Sequence, residues 1–243
     1  MKIIKIGGSA LTDKRNGDDH VAEVADRVAR ELIPNERYVI VHGVGYVGHK
    51  LAKEYKLFKG LQSNHIQWAY LRSEVAKITK VIVEALVEHG HPAVEVSITD
   101  VARARNGEFI HFNLNCLKRF VDMGFIPVLR GDGVIDESSG LTVISGDKIA
   151  TELALRLGAD EIIYGTDVDG LLDKKGMVIG RIGKDEARSL PLWDTGDFSG
   201  GMKNKLLEAL RLKNAKIRII NLRKDGNLKL ALEGRDVGTL ILP

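Results

Sequence analysis

Seven short runs of mostly apolar, often β-branched residues recur along this chain, at 2–6, 37–41, 93–97, 125–129, 161–165, 216–220 and 239–242. Between them, stretches near 19–32, 46–57, 66–89, 113–123, 147–157 and 202–213 carry helical patterns. In the third, Ile66, Tyr70, Ile78, Ile82, Ala85 and Leu86 largely follow a 3.6-residue period. Apolar runs without alternation are strands buried on both faces, and strands separated by helices pair in parallel. The pattern predicts an α/β fold with a mostly parallel sheet covered on both sides. With five prolines, no Ser/Pro-rich linker and no internal repeat, one continuous sheet with two functional lobes is expected rather than two separable domains.

Composition matters here for what it excludes. A net charge of +3 without a basic block, and 5% aromatic residues, argue against nucleic acid or an acidic membrane surface as partner. No apolar run approaches the roughly 18 residues of a membrane span, and the opening MKIIKIGGSA meets two glycines too soon for a signal-peptide core. One cysteine, Cys116, rules out an internal disulfide and any multi-cysteine metal site. That suits a reducing, cytoplasmic setting, with Cys116 expected as a small core hydrophobe. His20, His42, His65, His89, His91 and His111 lack metal-like spacing and receive no role.

Glycine is the outlier, at 26 of 243 residues, about 11% against a usual ~7%. The glycines gather just past strand ends, in KIGGS, VHGVGYVGH, LRGDG and YGTDVDG. Ligands of open α/β sheets bind at the carboxyl ends of strands, and glycine there lets backbone N–H groups close on phosphate oxygens. One such cluster is an ordinary turn; four at one sheet edge point to phosphate. Lys5 precedes Gly7-Gly8-Ser9, with Lys14 close behind, although the order is not that of a Walker loop. Gly43, Gly45 and Gly48 imitate a dinucleotide fingerprint but follow the second strand, so a dehydrogenase is disfavoured. Ser145-Gly146-Asp147 reads as a helix cap whose aspartate could orient lysines that otherwise repel, and Gly200-Gly201 through Lys205 brings glycine and lysine together again. Thr166 to Gly170, taken alone, is an Asx-type turn.

In this order the motifs resemble the amino acid kinase superfamily over essentially the whole chain, including Asn221, Gly226-Asn227-Leu228 and Val237-Gly238-Thr239 near the end. Within it the chain is most similar to the isopentenyl phosphate kinase family, because His49 closes a loop usually written GGGSFGH; here Val44, Tyr46 and Val47 depart from that pattern. The fosfomycin kinases also keep this histidine. The resemblance implies a three-layer αβα sandwich, with an acceptor lobe over about 1–150 and an ATP lobe over about 151–243. It places ATP on Lys5, Gly7, Gly8, Ser9, Gly45, Asp167, Gly201 and Lys205. The acceptor, isopentenyl monophosphate, falls on Val44, His49 and Gly146, and Tyr70 of the amphipathic helix is an expected wall of its apolar pocket. Lys5, Lys14, His49, Asp147 and Lys205 are the implied catalytic set. Mg²⁺ is expected on the ATP phosphates with no dedicated protein metal site, and a homodimer formed through the N-terminal lobe is implied. A kinase for another small phosphate or phosphonate, such as fosfomycin, and a non-catalytic nucleotide-binding regulator on the same fold are the alternatives.

Overall fold

In strand β1 (Lys2–Ile6), Ile3 is buried on one face and Ile4 and Ile6 on the other. Strand β2 (Tyr38–His42) repeats the division, with Val39 and Val41 opposed to Tyr38 and Ile40. Two cores therefore sandwich a sheet from which neither side faces water. A computed structural model describes residues 1–13, 19–173, 175–190 and 201–243. The remaining strands are β3 (Ala93–Glu95), β4 (Ala102–Arg105), β5 (Glu108–Phe112), β6 (Ile126–Arg130), β7 (Asp132–Asp136), β8 (Gly140–Ile144), β9 (Glu161–Thr166), β10 (Arg181–Gly183), β11 (Lys216–Asn221) and β12 (Thr239–Leu242).

Eight strands form the central sheet in the order β10-β12-β11-β9-β1-β2-β6-β3. All its pairings are parallel except β11 with β12. The seven strands expected from sequence all lie in it. The helices are α1 (Gly8–Leu11), α2 (Val21–Glu31), α3 (Gly45–Glu54), α4 (His65–Glu88), α5 (Ile98–Val101), α6 (Asn115–Asp122), α7 (Gly146–Leu157), α8 (Lys184–Arg188), α9 (Gly201–Ala209) and α10 (Asn227–Leu232). Residues of α6, α7 and α9 fill the core on one face, and residues of α2, α4 and α10 fill the other. This is the three-layer sandwich. None of the helices is long and apolar enough to cross a membrane, among the described residues.

Register fixes where function can sit. Ile6 is level with His42 of β2 and Gly165 of β9, so three carboxyl ends finish together. The strand order reverses at β1, the position where open α/β sheets hold ligands.

A second sheet, β5-β4-β7-β8, was not anticipated. Strands β4, β5 and β8 are partly exposed while β7 is largely buried, and β4 reads Ala-Arg-Ala-Arg. Asn106 and Gly107 join β4 to β5 with φ of 51° and 76°, the positive-φ pair that a two-residue hairpin turn requires. Cys116 corrects another expectation. It is exposed on α6, because Leu117 and Val121 take the inward face of that short helix.

Helices α2 and α10 are tied by a buried carboxylate. Glu31, at the end of α2, accepts N–H groups from Gly226 at 2.7 Å, Leu228 at 2.9 Å and Lys229 at 3.0 Å. It thus satisfies the first turn of α10 from another element. Glu31→Ala strands three donors, which should lower stability on the order of 3 kcal/mol, roughly 6–12 °C in melting temperature for a domain of this size. Glu31→Gln, which keeps one acceptor oxygen, should fall between. An unchanged melting temperature in Glu31→Ala would mean that this cap contributes nothing to docking.

Candidate active site

Lys5 is the one charged residue of β1 past its first position, and the strand lies at the centre of the sheet. A lysine there is 4% exposed, not the solvated edge lysine that the motif alone would suggest. Its ammonium needs a buried partner, and Asp147 supplies one. Ser145 caps α7 by accepting the Lys148 N–H at 3.2 Å, which places Asp147 in the first turn. Lys5 Nζ and Lys205 Nζ both lie 2.7 Å from Asp147 Oδ1. Lys205, on α9, is itself 8% exposed, and its Nζ stands 5.5 Å over the Tyr164 ring.

Two ammonium groups on one carboxylate oxygen set the electrostatics. Burial pulls the Lys5 ammonium down to about 8, against the opposing pull of Asp147. Burial alone would raise the Asp147 carboxyl, but Lys205 and Lys5 outweigh it and hold the acid well below the usual carboxylate range. The trio therefore carries a net positive charge under a cavity of about 510 Å³.

Glycine is required where these backbones converge. A Cβ at Gly43 would come within 2.6 Å of the Gly8 nitrogen, and one at Gly7 within 2.5 Å of the Gly165 oxygen. The first loop is bonded to β9 through Gly7 N–H to Gly165 O at 2.8 Å, and the second to β1 through Gly43 N–H to Ile6 O at 2.8 Å.

Of the residues expected from sequence, Lys5, Gly7, Gly8, Ser9, Val44, Gly146, Asp147, Asp167, Lys205 and His49 all line this cavity. Gly45 does not; it lies behind Gly8, its nitrogen 3.2 Å from where a Gly8 Cβ would be. Gly201 opens α9, one helix turn before Lys205. Lys14 lies outside the described residues. Tyr70 is a correction. It is 48% exposed and, like Ile66, off the cavity, because α4 turns Leu71 inward instead.

The apolar wall consists of Ala52, Phe58, Leu71, Val143 and Ile144. Val44 joins it with its side chain, lying where a Cβ on Gly48 would be only 2.4 Å away. Sequence reasoning missed Lys53, which follows His49 by four residues on α3 and lines the same cavity; the i, i+4 spacing was the available signal. It also gave His42 no role. The His42 ring is fully buried, with Nδ1 2.9 Å from the Gly43 carbonyl and Nε2 2.9 Å from Thr79 Oγ1. Since a carbonyl only accepts, Nδ1 carries the proton and Nε2 accepts from the hydroxyl. Burial pulls this imidazole down to about 4, so it props the glycine loop as a neutral ring.

A model of the amino acid kinase family matches residues 1–221. The isopentenyl phosphate kinase of Methanothermobacter thermautotrophicus is 32% identical, with 99% of this chain and 98% of that protein covered. That of Methanocaldococcus jannaschii is also 32% identical, with the same shares covered. A solved isopentenyl phosphate kinase structure superposes with a TM-score of 0.81 at 27% identity, covering 99% of this chain and 100% of that one. A buried lysine–aspartate–lysine trio beneath glycine loops, on a sheet of this strand order, is thus the site of a chain that belongs to the amino acid kinase family, and within it to the isopentenyl phosphate kinases.

Proposed function

We propose that this protein transfers the γ-phosphoryl group of ATP to isopentenyl monophosphate, forming ADP and isopentenyl diphosphate. The observation that carries the reading is a single cavity with the Lys5–Asp147–Lys205 trio at one side and an apolar wall at another. Phosphate chemistry needs the first, and a short hydrocarbon tail needs the second.

The acceptor needs no general base. A monophosphate has its second pKa near ~6, so at neutral pH its oxygen is already ionised. That oxygen attacks the γ-phosphorus as the bond to the bridging oxygen breaks, and the electron pair leaves with ADP. Catalysis is then the placing and neutralising of two anions. Lys5 and Lys205 supply positive charge at the transferring group, and Asp147 holds their ammonium groups in register. Backbone N–H groups of Gly8 and Ser9 hold the nucleotide phosphates, with Gly7 anchoring the loop to β9 through its own N–H, and the Asp167 loop flanks the nucleoside. His49 and Lys53 face the acceptor phosphate from α3, with Val44 and Gly146 beside it. Among the described residues no three carboxylate, imidazole or thiol groups converge as a metal cage. In this reading Mg²⁺ would be held by the phosphates, where it neutralises their charge. The reading includes a cytoplasmic setting and a homodimer through the N-terminal lobe, as the family resemblance implies.

ADP release coupled to isopentenyl phosphate is the first test. Turnover of fosfomycin or acetylglutamate without turnover of isopentenyl phosphate would overturn the assignment. Lys205→Ala should lower kcat on the order of 10²-fold or more; wild-type kcat would reduce Lys205 to a packing residue.

The protonated form of Lys5 is the active one, and its pKa is depressed to about 8. In the free enzyme kcat/KM for ATP should therefore fall as pH rises through about 8. Bound phosphates favour the ammonium, so kcat should hold to higher pH. Steady-state pH profiles of kcat/KM that stay flat up to about pH 10 would contradict this role.

His49→Ala should reduce kcat/KM for isopentenyl phosphate by about 10- to 150-fold, the range of one charge-assisted hydrogen bond. ATP affinity measured without acceptor should barely change, and His49→Gln should recover part of the loss. A variant that weakens ATP alone would move His49 out of the acceptor site.

A further inference from the structure

The turn after β11 reaches back to the first glycine loop. Arg223 donates from Nη2 to the Ser9 carbonyl at 2.8 Å and from Nε to the Ala10 carbonyl at 3.2 Å. Both carbonyls belong to the one-turn helix α1. The opposite flank of α1 is held by Thr12, whose hydroxyl donates to the Gly8 carbonyl at 3.2 Å and accepts the Tyr46 N–H at 2.6 Å.

The same turn grips the neighbouring loop, which follows β9. Asn221 Nδ2 donates to the Asp167 carbonyl at 3.2 Å and to Asp169 Oδ1 at 2.9 Å, while Asn221 Oδ1 accepts the Arg223 N–H at 2.9 Å. Lys224 adds an ion pair to Asp169 at 2.7 Å. Residues 221–224 thus form a strap between the Gly7–Ser9 loop and the Asp167 loop, and Arg223 does not itself line the cavity.

We infer that Arg223 is a positioning residue for ATP: its guanidinium fixes the Gly8–Ser9 backbone at the spacing the phosphates require and ties that backbone to the nucleoside loop. The inference rests on the nucleotide site proposed above. A guanidinium suits the task because two of its donors leave in a fixed fork and can meet two neighbouring carbonyls, whereas lysine presents one point charge. The mechanical consequence is specific. The nucleoside loop keeps Asn221 and Lys224 without Arg223, but Ser9 and Ala10 lose their anchor and the phosphate loop is left with the Gly7 to Gly165 bond on that side.

Calorimetric titration of ATP and AMP into Arg223→Met and Arg223→Lys, with melting temperatures, tests this. In Arg223→Met the ATP dissociation constant should rise about 10-fold or more, the loss expected when hydrogen bonds from a charged donor are removed. AMP, which uses the phosphate loop least, should bind with little change, and KM for the acceptor should stay put. Arg223→Lys should bind ATP at an intermediate strength, and it carries the test if Arg223→Met folds poorly. Folded variants that bind ATP like the wild type, or that lose ATP and AMP equally, overturn the inference. If at the same time the wild type turns over isopentenyl phosphate and Lys205→Ala shows its expected loss of kcat, the proposed function stands without it. A wild-type protein that binds no ATP overturns both.

Discussion

Two ammonium groups meeting on one oxygen of Asp147 constrain nearly everything around them. Unpaired unit charges about 4 Å apart repel by roughly 4 kcal/mol at an effective dielectric of 20, so Lys5 and Lys205 can share a buried site only with an anion between them. That anion must come from a helix start beside the central strand, which Ser145 and Gly146 provide. Gly146 has to be small, since a Cβ there would sit 3.0 Å from the His42 carbonyl and 3.4 Å from Lys5 Cε. Three elements distant in sequence, β1, α7 and α9, are brought into one arrangement by one carboxylate.

Around this trio the cavity divides by chemistry. Glycine loops at the ends of β1, β2 and β9 expose backbone to one side, while Phe58, Leu71, Val143 and Ile144 present hydrocarbon on the other. The apolar side is backed by its own small core of Leu51, Leu57, Trp68, Leu71 and Val75, separate from the two cores of the sandwich. A wall supported by packed side chains keeps its shape without a ligand, which favours a pre-formed pocket over one that must assemble. His42 gives the polar side similar support from beneath.

Most of the sandwich and much of the site were legible because they rest on short-range signals. Continuous apolar strands, glycines at strand ends and a capped helix start at Ser145 each leave a mark within a few residues. The second sheet left a fainter one: Asn106-Gly107 is a strong hairpin dipeptide, but the flanking strands carry too little hydrophobic pattern to draw attention to it. Tyr70 was misread because an amphipathic period says which residues share a face, not whether that face meets the sheet or water. Lys53, Glu31 and Arg223 act over longer reach. Arg223 and Ser9 are 214 positions apart, and no local pattern announces a contact of that span.

The pairing of β1 also bears on how the chain is made. One edge of β1 joins β2 soon after synthesis, but the other waits for β9, the roughly 120 residues later that at ~5–20 residues per second take about 6–24 s to appear. During that interval Ile3, Ile4 and Ile6 lie along an unpaired strand edge, the feature most prone to recruit a neighbouring nascent chain. Lys5 interrupts that apolar edge with a charge, as sheet proteins commonly do to keep strangers away. The lysine that the folded protein buries against Asp147 can thus guard the strand before that carboxylate has been made.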